Sequence, residues 1–302
     1  EKDEFHVGKM GVLYESLLRE CLENGVLFSG GTSYVSAEML KNETIVRLKK
    51  SGRNYEVRTK VLIGADGANS RVAEDLKLDE NKEWIVGYEE VFHSENKSSQ
   101  PRLHCFLDAR LAPGYLAWIA DDTEEIHIGV GGYAADFNPR EALKLFKEKT
   151  GKLFNLKNAK LIETRGGRIP VGGVLRQIAN ENGILIGDAA GAVSPLTAGG
   201  LDPAMRLSKF AAEIVRERLQ ADDPKILLQY SGELFRARFI SRLWMRRIIK
   251  TFTNQNLLEL GFTFLRGKLG EKFVRHVFFG RGSFPDVELK RLPVSNYRKS
   301  EI

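Results

Sequence analysis

The chain has 302 residues, 42% of them hydrophobic and 28% charged, a balance that supports a sizeable core and excludes a disordered chain. Two cysteines, Cys21 and Cys105, exclude a disulfide scaffold and a four-cysteine zinc site, and five scattered histidines argue against a His-rich metal centre. The net charge of +6 is uneven: from Met205 onward 20 Lys and Arg stand against 10 Asp and Glu, so a basic C-terminal region follows a mildly acidic body.

Val12, Leu13, Leu17, Leu18, Cys21 and Leu22 recur at helical spacing and predict a helix over 11–24, stopped by Asn24-Gly25. Val26-Leu27-Phe28 reads as a short strand. Residues 44–50 and 54–59 predict a hairpin around Ser51-Gly52. A buried strand over 60–64 leads into the turn ADGANS, with a helix from Arg71. From Trp84 to Tyr133 the β-like runs WIVGYEEVF, RLHCFL, YLAWIA and IHIGVGGY follow one another without long helices, the pattern of an antiparallel sheet. Pro139 opens a helix to about Lys149. A strand ending in TRGGRIPVGG, a buried strand over 183–186 and a long helix over 201–219 follow, and beyond Pro224 the chain reads as helical. No apolar run approaches the roughly 20 residues of a spanning helix. The opening residues carry no signal-peptide pattern, and with reduced cysteines the cytoplasm is the expected compartment.

These elements predict a mixed α/β chain in four parts. Residues 1–82 and 166–222 form an α/β nucleotide-binding layer that looks incomplete. Residues 83–165 form an inserted antiparallel substrate domain, and residues 223–302 a helical C-terminal region.

Two strand–turn–helix segments carry the chemistry. In VLIGADGANSRV, Gly67 permits a sharp turn and the new helix start suits a phosphate. The plain alternative is a turn capped by Asp66 or Ser70. In GILIGDAAGAVSPLTAGGLDPAM, Asp188 ends a buried strand where ligand hydroxyls dock, and small residues let a flat ligand approach. Gly199 and Gly200 expose N–H groups at a helix start. Its plain alternative is a packed crossing with Asp188 as a cap.

Together the two segments resemble the second and third fingerprints of FAD-dependent oxidoreductases of the p-hydroxybenzoate hydroxylase type, and within them the geranylgeranyl reductase branch. RGGRIPVGG from Arg165 and APGYLAWIADDTEEIHIGVGG from Ala112 extend the resemblance, which covers about Val7 to Leu219. It implies FAD as cofactor, with Gly187 and Asp188 at the ribityl chain and Pro195 beside the isoalloxazine ring. Gly199, Gly200 and Leu201 would lie at the ring's N1–O2 edge, and Asp66 and Gly67 near the pyrophosphate. Tyr115 and Trp118 would line the substrate cavity, and Lys9 stands near a position where the family often has a flavin-touching Arg. It further implies an apolar or prenyl substrate, reduced at carbon–carbon double bonds, and NAD(P)H or ferredoxin as electron donor. A flavin monooxygenase or halogenase, and a flavin-free lipid-binding module, are the alternatives.

The chain departs from that pattern in places. The first fingerprint, G-x-G-x-x-G after an N-terminal strand, is absent; the expectation is that about a hundred residues precede Glu1 in the family's arrangement. GVGGYA, 129–134, is read as part of the β insert. Position 198 is Ala where the reductases often have Gly.

Cys105 is expected to be a small buried hydrophobe, and His104 and His127 exposed strand residues; no metal site and no nucleic-acid partner are expected. In the C-terminal region Arg238, Arg242, Arg246 and Lys250 share one helix face, and Ile240, Trp244, Ile248 and Phe252 another, with Phe262, Phe264, Leu265, Phe273, Phe278 and Phe279 beyond. A basic amphipathic helix of this kind suits an anionic membrane surface, which would make the protein peripheral to the membrane, or a cap over the substrate cavity.

Overall fold

The computed structural model describes residues 8–94, 101–151, 156, 159–236, 240–251, 255–264 and 267–272. Helix α1 spans Met10–Glu23, as the periodicity predicts, but none of its residues is buried. Nothing among the described residues covers the stripe of Val12, Leu17 and Leu22, which stays exposed. The expected strand at 26–28 does not form. Leu27 is 98% exposed, and the chain turns at Gly31 (φ 68°) before β1, Thr32–Met39. β1 pairs with β2 (Thr44–Lys50), and β2 with β3 (Arg53–Thr59), both antiparallel. Ser51 (φ 49°) and Gly52 (φ 80°) join β2 to β3, the two left-handed residues that a hairpin needs to match strand twist.

The α/β layer is small. β4 (Leu62–Gly64) runs parallel to β10 (Gly183–Leu185), and among the described residues these two form the whole parallel sheet. With a neighbour on one edge only, β4 leaves Ile63 exposed, where a buried strand was expected. The short helix α2, Arg71–Asp75, follows β4. The long helix α4, Leu201–Ala221, lays Leu207, Phe210, Ala211 and Ile214 on Leu76, Ile184 and Leu185. Each of the larger side chains stabilises the fold by about 1.5–3 kcal/mol. Tyr230, fully buried in this core, donates its hydroxyl to Leu185 O at 3.0 Å.

The insert is a five-stranded antiparallel sheet in the order β6-β7-β8-β5-β9. Its strands are β5 (Trp84–His93), β6 (Arg102–Phe106), β7 (Ala117–Asp121), β8 (Glu125–Gly132) and β9 (Leu161–Pro170). β9 pairs with β5 along its length, so the expected boundary at 165 falls inside this strand. Helix α3 (Pro139–Thr150) begins with Pro139 at its first turn, and Asn138 caps it by accepting from Arg140 N and Glu141 N. Its Leu143 and Phe146 cover one face of the sheet, packing on Ile119, Ile126, Ile128 and Val130. The opposite face carries glycines in register: Gly87 stands between Gly131 on β8 and Gly167 on β9, and Glu89 between Gly129 and Arg165.

Sheet order corrects two expectations. Cys105 is exposed because β6 is an edge strand, whereas His127, on β8 between two neighbours, is buried at 8% exposure. His104 is half-buried.

The C-terminal region comprises a 3-10 turn at Pro224–Gln229, α5 (Glu233–Arg236), α6 (Ile240–Thr251) and α7 (Gln255–Phe264). On α6 the basic face points inward: Arg242 is 7% and Arg246 2% exposed, while Trp244 is 60% and Ile248 53% exposed. Of the two readings of this helix, a membrane-facing basic stripe and a cap packed inward, Arg242 and Arg246 follow the second, because a hydroxyl and two aromatic rings receive them inside. Arg238, Phe252, Leu265, Phe273, Phe278 and Phe279, and the side chains of Ile240, Phe262 and Phe264, lie outside the described residues. Among those described, no helix is long and apolar enough to cross a membrane.

A Cβ on Gly183 would stand 2.3 Å from Leu62 O and 2.7 Å from Leu76 Cδ1. Gly183→Ala therefore costs about 1–3 kcal/mol by overpacking, read from urea midpoints; an unchanged midpoint would show that β4 and β10 are not so closely apposed.

Candidate functional site

β10 runs into a 3-10 turn, Gly187–Ala190, bracketed by left-handed Gly187 (φ 57°) and Gly191 (φ 68°). Gly191 cannot carry a side chain, since a Cβ would meet Gly173 O at 2.6 Å and Asn81 Oδ1 at 2.9 Å. The amide of Asn81 ties the two chemistry-bearing segments together, donating to Ala68 O at 3.2 Å and to Asp188 O at 2.9 Å. An open cleft of about 200 Å³ lies between these segments, lined among others by Ala68, Asn69, Arg71, Asn81, Trp84 and Ala189.

The carboxylate of Asp188 is half-buried and accepts no hydrogen bond from the described residues. Burial pushes its pKa up with nothing to offset it. It does not cap the crossing; it lies beside the start of α4, where a Cβ on Gly200 would stand 3.4 Å from Asp188 Oδ1. Gly200 caps α4 without a side-chain acceptor, and Pro203 has no N–H. Leu201 and Asp202 therefore present the orphan donors of this terminus. Leu201 and Gly199 are exposed, and Pro195 is buried. The loop is pinned by Ser194 N donating to Gly199 O at 3.0 Å and Ala198 N to Ser194 O at 2.9 Å, with Ala198 left-handed at φ 55°.

The first segment behaves differently. Gly67 takes φ 85°, as the turn requires. Asp66, however, accepts from Arg71 N (2.8 Å), Val72 N (3.2 Å) and Ser70 Oγ (2.6 Å), and Ser70 Oγ accepts from Ala73 N (2.9 Å). The expected free N–H groups at the start of α2 are consumed by its own caps, so a phosphate has no place on them. Lys9 pairs with Glu124 in the β7–β8 turn.

Tyr115 joins the sheet to the loop, donating its hydroxyl to Thr197 O at 2.8 Å. Burial pushes its phenol up. Trp118 lies flat on the glycine face: a Cβ on Gly129 would stand 2.2 Å from Trp118 Cζ2, and one on Gly131 2.6 Å from Tyr115 Cδ1. Trp118 Nε1 donates to Glu89 Oε2 at 2.6 Å, and Glu89 Oε1 lies 3.4 Å from His127 Nδ1 and 3.6 Å from Arg165 Nη1. Asp122, Glu125 and His127 bring donor atoms within 4.8 Å of one another, but Asp122 Oδ1 already accepts from Glu124 N and Glu125 N.

The family described as "FAD binding domain" matches residues 13–244. The chain belongs to the FAD-binding domain family. Over 279 residues it is 28% identical to a digeranylgeranylglycerophospholipid reductase 2 of Methanococcoides burtonii, covering 86% of this chain and 68% of that protein. It is 31% identical over 202 residues to a digeranylgeranylglycerophospholipid reductase of Methanosarcina acetivorans, covering 64% and 48%. The fold matches a geranylgeranyl bacteriochlorophyll reductase-like protein from Thermoplasma acidophilum with TM-score 0.65 at 17% identity, covering 80% of this chain and 65% of that one. The aligned part thus spans about half to two thirds of these relatives' lengths. The expected branch, FAD oxidoreductases of the geranylgeranyl reductase type, is borne out, and with it FAD as the cofactor.

This FAD-binding chain fits the cofactor where it can be tested. A half-buried carboxylate without a protein donor suits hydroxyl groups, and the uncapped α4 start beside it suits an electron-rich edge. Glu89, Thr197 and Asn81 escaped the sequence reading, and His127 was read as exposed, since their roles come from pairings across the sheet and between segments. The alternating glycines of GVGG were the one signal that aromatic rings lie on β8.

Asp188→Ala in the complete protein should weaken FAD retention by about 1–3 kcal/mol, or roughly five- to 150-fold, measured as flavin absorbance after gel filtration; full retention would remove Asp188 from the site. The Glu89–His127 pair makes a second prediction. The Glu89 carboxyl, penalised by burial but outweighed by its bonds from His127 and Trp118, sits low, and its contribution fades as pH falls through that lowered value. His127, raised by its bond to Glu89 against burial, contributes below the ordinary imidazole range, and this is lost as pH rises through the raised value. The pair is worth most between about pH 4.5 and 6.5. His127→Gln should cost more stability at about pH 5.5 than at about pH 9 in denaturation midpoints; equal costs would mean a neutral imidazole.

Proposed function

We propose that the protein is an FAD-dependent reductase of carbon–carbon double bonds in a prenyl or similar lipid, with NAD(P)H or ferredoxin as electron source. The observation that carries this reading is the meeting, through Tyr115 and Thr197, of the Asp188–Gly200 corner with an aromatic sheet face. When bound, FAD supplies the hydride chemistry. The chain's own part is to place and shield. Asp188, next to Gly187, would accept from the ribityl hydroxyls, and Pro195 would flank the ring. Gly199, Gly200 and Leu201 would offer backbone N–H groups to its N1–O2 edge. Gly67 lets the chain pass close to the cofactor beside the cleft. Tyr115 and Trp118 form an apolar wall that suits an alkene and excludes water, and Glu89 fixes the plane of Trp118 through Nε1. The names of the archaeal relatives support a prenylated glycerophospholipid as substrate class. The outward Trp244 and Ile248, with the Arg247 guanidinium 5.4 Å over the Trp244 ring, support a peripheral contact with membrane lipid.

A monooxygenase or halogenase is the second reading, and the shared fold with the flavin-dependent halogenase CmlS (TM-score 0.57, 15% identity, 76% of this chain and 44% of that one) favours keeping it in the test. The complete, flavin-loaded protein, reduced without oxygen and given a geranylgeranyl lipid, should yield product carrying added hydrogen at the former double bonds by mass spectrometry. Product formed only in air, carrying oxygen or halogen, would replace the reductase reading.

A further inference from the structure

We propose that Arg246 anchors a phosphate-class oxyanion on the polar head of the substrate, an inference that rests on the prenyl-lipid reading above. Arg246 is 2% exposed, yet its Nη2 has no hydrogen-bond acceptor, and no carboxylate among the described residues pairs with it. Its Nε donates to Tyr133 Oη at 3.0 Å. Its guanidinium carbon lies 4.8 Å from the centre of the Tyr133 ring and 5.6 Å from that of Tyr115. The rings stabilise the cation, but no oxygen or nitrogen atom of the described residues accepts the N–H of Nη2. Tyr133 Oη in turn donates to Glu83 Oε1 at 2.9 Å, so the nearest carboxylate is reached only through the tyrosine. Nη2 stays without an acceptor, and an orphan buried donor marks a place where a ligand or ion belongs.

The surroundings select the ligand class. One turn earlier on α6, Arg242 Nη1 donates to Ser194 Oγ at 2.9 Å; one turn later, Lys250 Nζ lies 4.6 Å from the Tyr133 ring centre and 3.5 Å from Glu83 Oε1. Two buried guanidinium groups therefore share the inward face of α6, with the exposed, Glu83-paired Lys250 at its rim, and the planar fork of a guanidinium matches phosphate oxygens. The orphan donor stands beside Tyr115, whose hydroxyl holds Thr197 O, so it lies where the apolar sheet face meets the loop after Asp188. A free ion entering a site closed to bulk water gives up its hydration for these contacts alone. A lipid head brings the burial of its own chain, which favours the lipid as the source.

The test uses the complete flavin-loaded protein and calorimetric titration with geranyl phosphate, geraniol and inorganic phosphate. Wild type should bind geranyl phosphate at least about tenfold more tightly than geraniol, and inorganic phosphate far more weakly. Arg246→Met should abolish the preference for phosphate while leaving geraniol affinity and FAD content unchanged, and Arg246→Lys should restore part of it. A phosphate preference retained in Arg246→Met, or an equal loss of affinity for both lipids, overturns the anchor and leaves Arg246 a packing residue. Inorganic phosphate binding as tightly as geranyl phosphate overturns the lipid source. Equal wild-type binding of both lipids removes the anion site alone, whereas failure to bind either removes the prenyl-lipid reading beneath it.

Discussion

The site depends on one hydrogen bond, from the Tyr115 hydroxyl to Thr197 O, which joins the inserted sheet to the loop between β10 and α4. It forms because β8 carries glycine at 129 and 131, so that Tyr115 and Trp118 lie against the sheet where any Cβ would collide with their rings. The covered face of the same sheet is ordinary core, with Ile119, Ile128 and Val130 under α3. One strand thus serves two purposes: β-branched residues toward the helix for stability, and hydrogen side chains that make room for the Trp118 and Tyr115 rings on the other face. The buried Glu89–His127 pair stiffens that second face by holding the indole of Trp118.

Two aspartates that follow parallel strands meet opposite fates, and electrostatics explains the division of labour. Asp66 spends its carboxylate on the amino end of α2 and closes that helix to any other anion. Asp188 spends its backbone carbonyl on Asn81 and Gly191 N, and its carboxylate accepts no hydrogen bond among the described residues. The positive end of the much longer α4 stays uncapped beside it. What looks like the same strand–turn motif twice is therefore one corner closed by its own caps and one left open, locked together through Asn81.

Local chemistry was legible in the sequence, and tertiary choice was not. Ser51-Gly52 specified its turn, Pro139 its helix start, and the Gly-Asp segment its place at a strand end, because each acts through its own backbone. β1 escaped notice because TSYVSAEM is half polar and relies on pairing with β2. Periodicity on α6 separated a basic from an apolar face correctly but could not say which one turns inward; Ser194, Tyr115 and Tyr133, distant in the chain, decide that. His127 was misjudged for the same reason, since its burial comes from the strand order and its partner from β5.

Ala198 has a consequence of a different kind. A methyl group on a left-handed residue costs on the order of 1 kcal/mol, yet it narrows the conformations open to the unfolded loop. The bonds at Ser194 and Gly199 hold the segment in that shape. A glycine there would relax the loop and let it wander; with alanine the cradle is already cast when its guest arrives, so little ordering entropy is left to be lost on association.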